Sequence, residues 1–215
     1  MKTVVSMKSL AEADSLIDAQ LTSLPGWCNP HKAKRILRVA LQAAALGGTR
    51  GVELGVYGGR SLVALALGYK LAGRGTLDGI DSWSREDCLE GQQSTVDQQL
   101  WGRDTDYEAL VQHTLAGVER FGVKDIARVV RKRTADALSD YENGSIDLLH
   151  LDSNHSELTS CRDVTSWLPK MAPSSVWIAD DTNWPSMQKA LRILESAGFG
   201  RIETGPDDFW AVYQR

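Results

Sequence analysis

A glycine-rich segment at residues 51–61, with the sequence GVELGVYGGRS, constrains the fold of this chain more than any other feature. Apolar residues lead up to Gly55, and Gly58 and Gly59 precede a long apolar run. This order predicts a buried strand that enters a tight turn and continues into a helix. In parallel sheets, such a turn brings backbone N–H groups and a helix N-terminus close to a ligand. The segment therefore predicts an α/β fold with a ligand site at the turn.

The acidic residue Glu53 distinguishes this turn from a dinucleotide-binding loop. In the pattern G-x-G-x-x-G, the first glycine lies beside a pyrophosphate. Gly55 and Gly58 match the second and third glycines, whereas Glu53 stands at the first position. A carboxylate there would repel a diphosphate and would suit a cationic ligand, such as the amino group and sulfonium of S-adenosylmethionine (SAM). The alternative is a tight strand-to-helix turn without a ligand.

The composition indicates one globular domain that covers residues 1–215. The chain is 42% hydrophobic and 24% charged, and its length suits a domain with a substantial core. A net charge of −4 with scattered Lys and Arg argues against a nucleic-acid partner. Three widely spaced cysteines show no disulfide or metal pattern, which favours a reducing compartment. No segment approaches about 18 apolar residues, so we expect a cytoplasmic protein without a membrane partner.

Strand and helix patterns alternate through the rest of the chain, which predicts a mostly parallel sheet covered by helices on both faces. Two final strands are joined by a turn around Gly205, Pro206 and Asp207, which is too short for a parallel crossover. The sequence thus predicts a Rossmann-like α/β fold with a C-terminal antiparallel hairpin. The predicted strands are 51–55, 76–81, 127–131, 145–152, 175–180, 200–204 and 209–214, and the helices between them are 61–71, 135–143, 157–168 and 185–197.

Two segments lie outside this alternation. The first is an N-terminal helical segment, 1–48, with predicted helices at 9–24 and 31–46. These helices could cover the ligand site, form a homodimer contact or pack at an edge of the sheet. The second is an insertion at 82–124, which is polar at first and then predicts a helix at 107–121. Long loops at the carboxyl ends of strands often form lids or substrate walls, although a solvated loop is the alternative.

Acidic residues follow the ends of several predicted strands, where open α/β sheets bind their ligands. Asp81 lies about twenty residues beyond the glycine turn, where an acid commonly binds the ribose hydroxyls of a cofactor. The alternative is that Asp81 caps a helix. Trp83 could stack on an adenine ring or simply pack. Three more acids lie at the ends of predicted strands. Asp152 ends the fourth strand, and Asp180 and Asp181 lie at the end of the fifth strand.

Asp152, Asp180 and Asp181 come together if the fourth and fifth strands pair. Three carboxylates repel one another unless a cation or protons balance them, and Mg²⁺ prefers such oxygen ligands. The sequence therefore predicts a divalent metal site, although Asp181 could instead cap the helix near Pro185.

Two histidines lie in or just after the fourth strand. His155 follows Asp152 by three residues and is a candidate general base, with a role in the turn as the alternative. His150 lies inside the strand, and we expect it to be a core residue.

Four motifs, VELGVYGGRS, GIDSW, SIDLLHLDSNHS and WLPKMAPSSVWIADDTNW, together resemble the class I SAM-dependent methyltransferases. The most similar branch is the small one related to cephalosporin-hydroxylase-like proteins and to sugar O-methyltransferases of antibiotic pathways. The resemblance covers roughly residues 49–190 and implies a seven-stranded sheet with a C-terminal hairpin. By position, it implies that the cofactor is bound by Glu53, Gly55, Tyr57, Gly58, Gly59, Ser61, Asp81, Thr134 and Ala135, and that Asp152, Asp180 and Asp181 hold a divalent ion.

Two departures from the family pattern concern turns. The family often has D-G-x-H-x-Y after the fourth strand, whereas this chain has D-S-N-H-S-E, beginning at Asp152. The usual P-G-G before the fifth strand is replaced by P-S-S, beginning at Pro173. The first change affects the expected substrate pocket.

The expected activity is O-methylation of a small hydroxylated molecule. Two adjacent oxygens of a sugar or catechol would bind the metal ion, and one would lose its proton to His155 or to water. A nicotinamide-dependent oxidoreductase and a non-catalytic domain of the same fold are the alternatives.

Overall fold

The computed structural model describes residues 9–92, 94–206 and 209–215 and confirms the predicted α/β fold. Within these residues, seven strands form one sheet in the order β3-β2-β1-β4-β5-β7-β6. Strands β1 to β5 run parallel, and β7 pairs antiparallel with both β5 and β6. The strands are β1 Arg50–Leu54, β2 Thr76–Asp81, β3 Ala127–Arg131, β4 Ile146–Leu151, β5 Met171–Asp180, β6 Gly200–Thr204 and β7 Trp210–Gln214.

Helices cover both faces of the sheet because each strand alternates buried apolar side chains between two clusters. Helices α1, α2, α3 and α6 pack on one face, and α8 and α9 pack on the other. The helices are α1 Leu10–Gln20, α2 Pro30–Ala45, α3 Arg60–Ala72, α4 Arg85–Leu89, α5 Thr95–Gln99, α6 Tyr107–Arg120, α7 Thr134–Ala137, α8 Glu157–Trp167 and α9 Gln188–Ser196.

Helix α2 is held firmly at its N-terminus and along its length. The side chain of Asn29 accepts a hydrogen bond from the Lys32 backbone at 2.9 Å, and Pro30 occupies the first turn. Gly68 of α3 permits close packing, because a Cβ there would lie 2.4 Å from the Leu37 carbonyl oxygen. These contacts fix the first turn of α2 beside the ends of β4 and β5.

Several predicted boundaries differ from the observed ones. The first predicted helix ends at Gln20, and a 3₁₀ turn, Leu21–Ser23, follows it. The helix predicted at 135–143 is the short α7 followed by a 3₁₀ turn, Leu138–Asp140. Strand β5 starts at Met171 because an irregularity in its pairing with β4 adds residues before Val176. Of the predicted hairpin turn, Asp207 lies outside the described residues.

The insertion is more ordered than its composition indicates. It contains the short helices α4 and α5, then a π-helical turn, Leu100–Asp104, and finally α6. Side-chain caps explain the short helices, because Ser84 and Ser94 each accept a hydrogen bond from a backbone N–H three residues later. None of the described helices combines the length and apolar character needed to span a bilayer.

Candidate active site

A cavity of about 740 Å³ lies along the carboxyl edge of the sheet, by which we mean the residues at and just after the C-terminal ends of β1, β2, β4 and β5. Four parts of the chain line it: the loop before α2, the glycine turn, the insertion, and the ends of β4 and β5. The predicted residues that line it are Gly55, Tyr57, Ser61, Asp81, Thr134, Asp152, His155, Asp180 and Asp181.

Gly55 allows the glycine turn to pass close to the end of β4. Its φ is +85°, and a Cβ there would lie 2.1 Å from the Asp152 carbonyl oxygen. No other residue fits this position without moving the backbone, so Gly55 brings the first strand's turn against the acidic end of β4.

Asp81 holds the glycine turn in place. One carboxylate oxygen accepts hydrogen bonds from the N–H groups of Val56 and Tyr57 at 2.9 and 3.0 Å, and the other accepts one from Trp83 at 2.7 Å. Burial raises the pKa of Asp81, and these three hydrogen bonds oppose that rise. A carboxylate oxygen can accept more than one hydrogen bond, so these contacts leave Asp81 able to bind ribose hydroxyls as well. That contact remains a prediction.

Trp83 packs beneath the turn instead of facing the cavity. Its side chain is 3% exposed, and its indole Nε1 donates to the Tyr57 carbonyl oxygen at 2.9 Å. The buried environment therefore supports the packing interpretation over adenine stacking.

Three other residues that were predicted to bind the cofactor, Gly58, Gly59 and Ala135, do not line the cavity. A Cβ on Gly58 would lie 2.4 Å from the Pro25 carbonyl oxygen, and one on Gly59 would lie 3.2 Å from Thr114. Both glycines thus face neighbouring backbone or side chains. Ala135 lies in α7, next to Thr134, whose hydroxyl donates to Asp163 at 2.8 Å.

A line of four charged groups runs from the interior of the sheet to the cavity, and we call it the buried charge chain: Glu53, His150, Asp180 and Lys32. His150 Nδ1 lies 2.8 Å from Glu53, its Nε2 lies 3.5 Å from Asp180, and the Lys32 ammonium donates to Asp180. Register explains the line, because Glu53 pairs with His150, and His150 pairs with Ile178, two residues before Asp180. Side chains two apart on a strand share a face.

Opposite charges stabilise the ionised forms along the buried charge chain. Burial alone would lower the pKa of His150, but Asp180 and Glu53 outweigh it and raise the pKa to about 9. Burial likewise opposes the charged form of Lys32, whereas the charges of Asp180 and Asp152 raise its pKa. Lys32 and His150 in turn hold the pKa of Asp180 below its ordinary value, against the effect of burial. His150, Lys32 and Asp180 are therefore charged at neutral pH.

Glu53 is fully buried within the sheet, behind the cavity. One of its oxygens binds His150, and the other has no hydrogen-bond partner among the described residues. The predicted contact of Glu53 with the amino group of SAM remains a prediction, whereas its contact with His150 is observed.

His155 bridges two aspartates at the cavity wall. Its Nε2 lies 2.5 Å from Asp181 and 3.5 Å from Asp152. Burial would lower the pKa of His155, but the two carboxylates raise it to about 10. Burial and the charge of Asp180 raise the pKa of Asp152 to about 6. Asp181 has a left-handed backbone, with φ of +50°, that turns its side chain toward His155.

The residues predicted to hold a metal ion already have cationic partners. Two groups place potential ligand atoms within 4.8 Å of one another: His150, Asp152 and Asp180 form one, and Asp152, His155 and Asp181 form the other. In the first, the Lys32 ammonium binds Asp180; in the second, Nε2 of His155 already lies 2.5 Å from Asp181 and 3.5 Å from Asp152. Because these partners occupy the ligand atoms, the donor set in this arrangement does not fit a divalent ion.

The insertion is tied to the end of β4. The side-chain amide of Asn154 donates to the carbonyl oxygens of Asp87, Cys88 and Glu90 at 2.8–3.0 Å. The Glu90 carboxylate forms a two-pronged ion pair with Arg162, with both distances 2.9 Å. These contacts make part of the insertion a wall of the cavity.

Aromatic side chains surround the open end of the cavity. The rings of Trp27, Tyr57 and Trp101 form a cluster with centroid distances of 4.9–5.8 Å, and Trp184 lies 5.5 Å from the His155 ring. Trp27 and Trp184 are 63% and 41% exposed. They give the entrance an apolar surface that could contact a ring.

Sequence reasoning missed Lys32, Trp27 and Trp184, and it treated His150 as a core residue. The burial of His150 is as expected, but its ring joins the buried charge chain. A signal for Lys32 was present: it stands four residues before Ile36 and eight before Ala40, on the apolar stripe of the helix.

A family model described as a methyltransferase domain matches residues 52–182 of this chain. Among solved structures, the O-methyltransferase NovP superposes with a TM-score of 0.72 at 13% identity, over 96% of this chain and 97% of that one. The Bacillus cereus O-methyltransferase in complex with SAH gives 0.62 at 18% identity, over 99% and 94%. TomG from Streptomyces achromogenes, in complex with SAM, gives 0.60 at 18% identity, over 99% and 92%.

Among curated proteins, the uncharacterized protein y4gI of Sinorhizobium fredii is 41% identical over 56 residues. This match spans 26% of the present chain but only 6% of that protein's length.

Proposed function

Because this chain belongs to the methyltransferase-domain family, we propose that it is a SAM-dependent O-methyltransferase that acts on a small hydroxylated molecule. The observation that carries the proposal is the cavity that joins the glycine turn to the carboxylates of Asp152, Asp180 and Asp181. SAM is cationic at its sulfonium and amino groups, and the neighbours TomG and the Bacillus cereus enzyme were solved with SAM and SAH.

In this proposal the cofactor lies along the carboxyl edge. Asp81 and Thr134 stand at the end of the cavity nearest β2 and α7, where they would contact the ribose and adenine. Gly55, Tyr57 and Ser61 line the next part of the cavity, beside Asp152. The bound cofactor supplies an activated methyl group on sulfur, which transfers in line to the acceptor oxygen.

The protein's task is to align the acceptor and to receive its proton. When the O–CH₃ bond forms, the S–CH₃ bond breaks, and the acceptor hydroxyl releases one proton. Asp152 is the group suited to receive it, because its pKa of about 6 lies near neutral pH. His155 is the base that the sequence predicts; the carboxylates of Asp152 and Asp181 raise its pKa to about 10, which favours the protonated form that pairs with both, 3.5 and 2.5 Å away.

The acceptor would enter past the aromatic residues at the open end. Trp27, Trp184 and Phe209 line this part of the cavity and are each at least 41% exposed. Flat apolar side chains can stack on an aromatic ring or on the apolar face of a sugar. A catechol-like or sugar acceptor therefore remains the proposed class.

Calorimetric titration with SAM, S-adenosylhomocysteine and NAD tests the cofactor. Micromolar binding of the first two without NAD binding supports the proposal. Binding of NAD alone would replace it with an oxidoreductase, and binding of none would favour a non-catalytic domain.

A panel of sugars and catechols, each assayed with Mg²⁺ and with EDTA, then tests the reaction. Asp152→Asn should lower kcat by at least about 100-fold, in line with the loss of a general base, while the Kd for SAM stays within threefold. The matched control is Asp78→Asn, because Asp78 is a buried aspartate on the same sheet that does not line the cavity. Equal losses in both variants would exclude a specific role for Asp152.

Two further predictions accompany this proposal without being tested by the structure: a homodimer formed through the N-terminal helices, and a cytoplasmic location. Light scattering of the purified protein addresses the first. The expected assistance by Mg²⁺ is not part of the proposal, because Asp180 and Asp181 already have cationic partners, and the EDTA assay checks this.

A further inference from the structure

Lys32 reaches the carboxyl edge from outside the sheet. It lies in the first turn of α2, its side chain is 10% exposed, and its ammonium binds the Asp180 carboxylate, which is 11% exposed. Lysine is rarely buried to this extent unless it is paired with an opposite charge. The pairing joins the N-terminal segment to the last residue of β5.

The position of this ammonium is the one at which a cation is needed. Asp180 and Asp152 belong to one group of potential ligand atoms, and each carboxylate is exposed to the charge of the other. Lys32 balances both, because it binds Asp180 directly and also acts on Asp152 through its charge. A second cation at Asp180 would be repelled by the ammonium already there.

We propose that the Lys32 ammonium takes the place of a divalent ion at this end of the cavity and positions the acceptor oxygen there. The positioning role rests on the proposed methyl transfer. Among the described residues, Asp180 is the one hydrogen-bond partner of the ammonium, so two of its three N–H groups are available to an acceptor.

An ammonium in place of a divalent ion changes how many oxygens the acceptor must offer to the site. A divalent ion can bind two adjacent oxygens of one molecule, whereas an ammonium N–H binds one oxygen at a time. A single hydroxyl on the acceptor is then enough, and a vicinal pair is not required.

The packing of α2 keeps the ammonium in place. The Asn29 cap fixes the backbone of Lys32, and the close contact of Leu37 with Gly68 fixes the helix against α3. Lys32 is therefore positioned before any ligand binds, which lowers the cost of ordering its long side chain.

Mn²⁺ binding, followed by the electron paramagnetic resonance signal of the free ion, tests the proposal without an acceptor. The wild-type protein should not bind Mn²⁺ up to 1 mM, on the order of weak carboxylate sites. Lys32→Met removes the charge and should bind Mn²⁺ at least about tenfold more tightly, since Asp180 and Asp152 are then free to ligate. Lys34→Met is the matched control, because Lys34 lies on the same helix and pairs with the exposed Asp18 at 2.6 Å. It should behave like the wild type.

Three results would overturn the proposal. One is Mn²⁺ binding by the wild type that Asp180→Asn abolishes, because the ion would then coexist with Lys32. Another is a folded Lys32→Met variant that binds Mn²⁺ no better than the wild type. The last is equal gains in the Lys32 and Lys34 variants.

Two additional measurements keep the test decisive if Lys32→Met does not fold. The wild-type titration alone can contradict the proposal, and Lys32→Arg, which keeps the charge, should exclude Mn²⁺ like the wild type. SAM calorimetry on the same samples separates the two ideas. If the wild type does not bind SAM, the proposed function is contradicted, whereas the Mn²⁺ result concerns the role of Lys32 alone.

Discussion

The amino and carboxyl ends of the sheet both bury aspartates, but the partners of these carboxylates differ between the two ends. Toward the amino ends of the strands, Asp78 accepts two hydrogen bonds from Arg128, at 2.9 and 2.7 Å, and one from the Tyr141 hydroxyl at 2.8 Å. At the carboxyl edge, Glu53 Oε2, His150 Nε2 and Asp180 Oδ1 are buried without a well-formed hydrogen bond among the described residues.

This difference separates a structural role from a functional one. Arg128 is 62% exposed, so the charge that balances Asp78 is supplied from the solvent side. The carboxyl edge instead balances its carboxylates with interior groups and opens into a cavity. Incomplete hydrogen bonding of buried groups is costly and is expected where a site has a function.

The largest expected effect comes from a comparison of two glycines with positive φ, one at each end of the sheet. Gly55→Ala would place a Cβ 2.1 Å from the Asp152 carbonyl oxygen, so we expect a loss of more than about 4 kcal/mol of stability or a failure to fold. Gly144→Ala, before β4, has a similar positive φ but no atom within 4 Å, and should cost about 1 kcal/mol. Urea denaturation measures both, and similar losses would contradict the close contact.

Removing the central carboxylate at the carboxyl edge should have the next largest effect. Asp180→Ala leaves Lys32 buried without a counter-charge, and we expect it to lower the free energy of unfolding by about 3–4 kcal/mol. Chemical denaturation measures the loss. A change below about 1 kcal/mol would mean that Lys32 reaches solvent easily.

The equivalent change at the other end should be milder. In Asp78→Ala, the partly exposed Arg128 and Arg50 can turn to solvent, and the buried Tyr141 hydroxyl loses its partner, so we expect a cost of about 1–2 kcal/mol. SAM binding, measured by calorimetry, should be unchanged. Weakened SAM binding would show that the two ends are coupled.

The most gradual effect is the response of stability to alkaline pH. The folded-state pKa of His155 is raised to about 10 from an ordinary value of 6.5, so its contribution is complete below pH 6.5 and is lost as pH rises toward 10. One such group gives a decline of at most about 1.4 kcal/mol per pH unit, and His150, whose pKa is raised to about 9, adds a second contribution over the lower part of this range. His155→Asn should make the decline shallower in thermal or urea unfolding, whereas Asp78→Ala should leave it unchanged. A wild-type curve that is flat from pH 7 to 9 would contradict the raised pKa.

Much of the fold was predictable because strands in a covered parallel sheet are continuous apolar segments. The bounds of β2, β3 and β6 agree with the predicted ones. The start of β5 was not predictable, because Pro173 and two serines look like a turn, and only the irregular pairing with β4 makes the segment a strand.

The site was predicted less completely, since chain order places acids at strand ends but does not show their partners. Asp81, Asp152, Asp180 and Asp181 all line the cavity, as their positions after strands indicate. The sequence could not show that Lys32, almost 150 residues earlier in the chain, neutralises Asp180. That contact depends on how α2 packs on α3, which is a property of the tertiary structure.

Helix α2 has a consequence for how such a protein can diversify. The family match begins at residue 52, so the segment that carries Lys32 lies outside it. The ends of β4 and β5 supply the acidic half of the charge balance, and a separate helix supplies the basic half. Under the proposed role of Lys32, an exchange of the leading helix would therefore change the cation at this site while the residues of the matched domain stay the same.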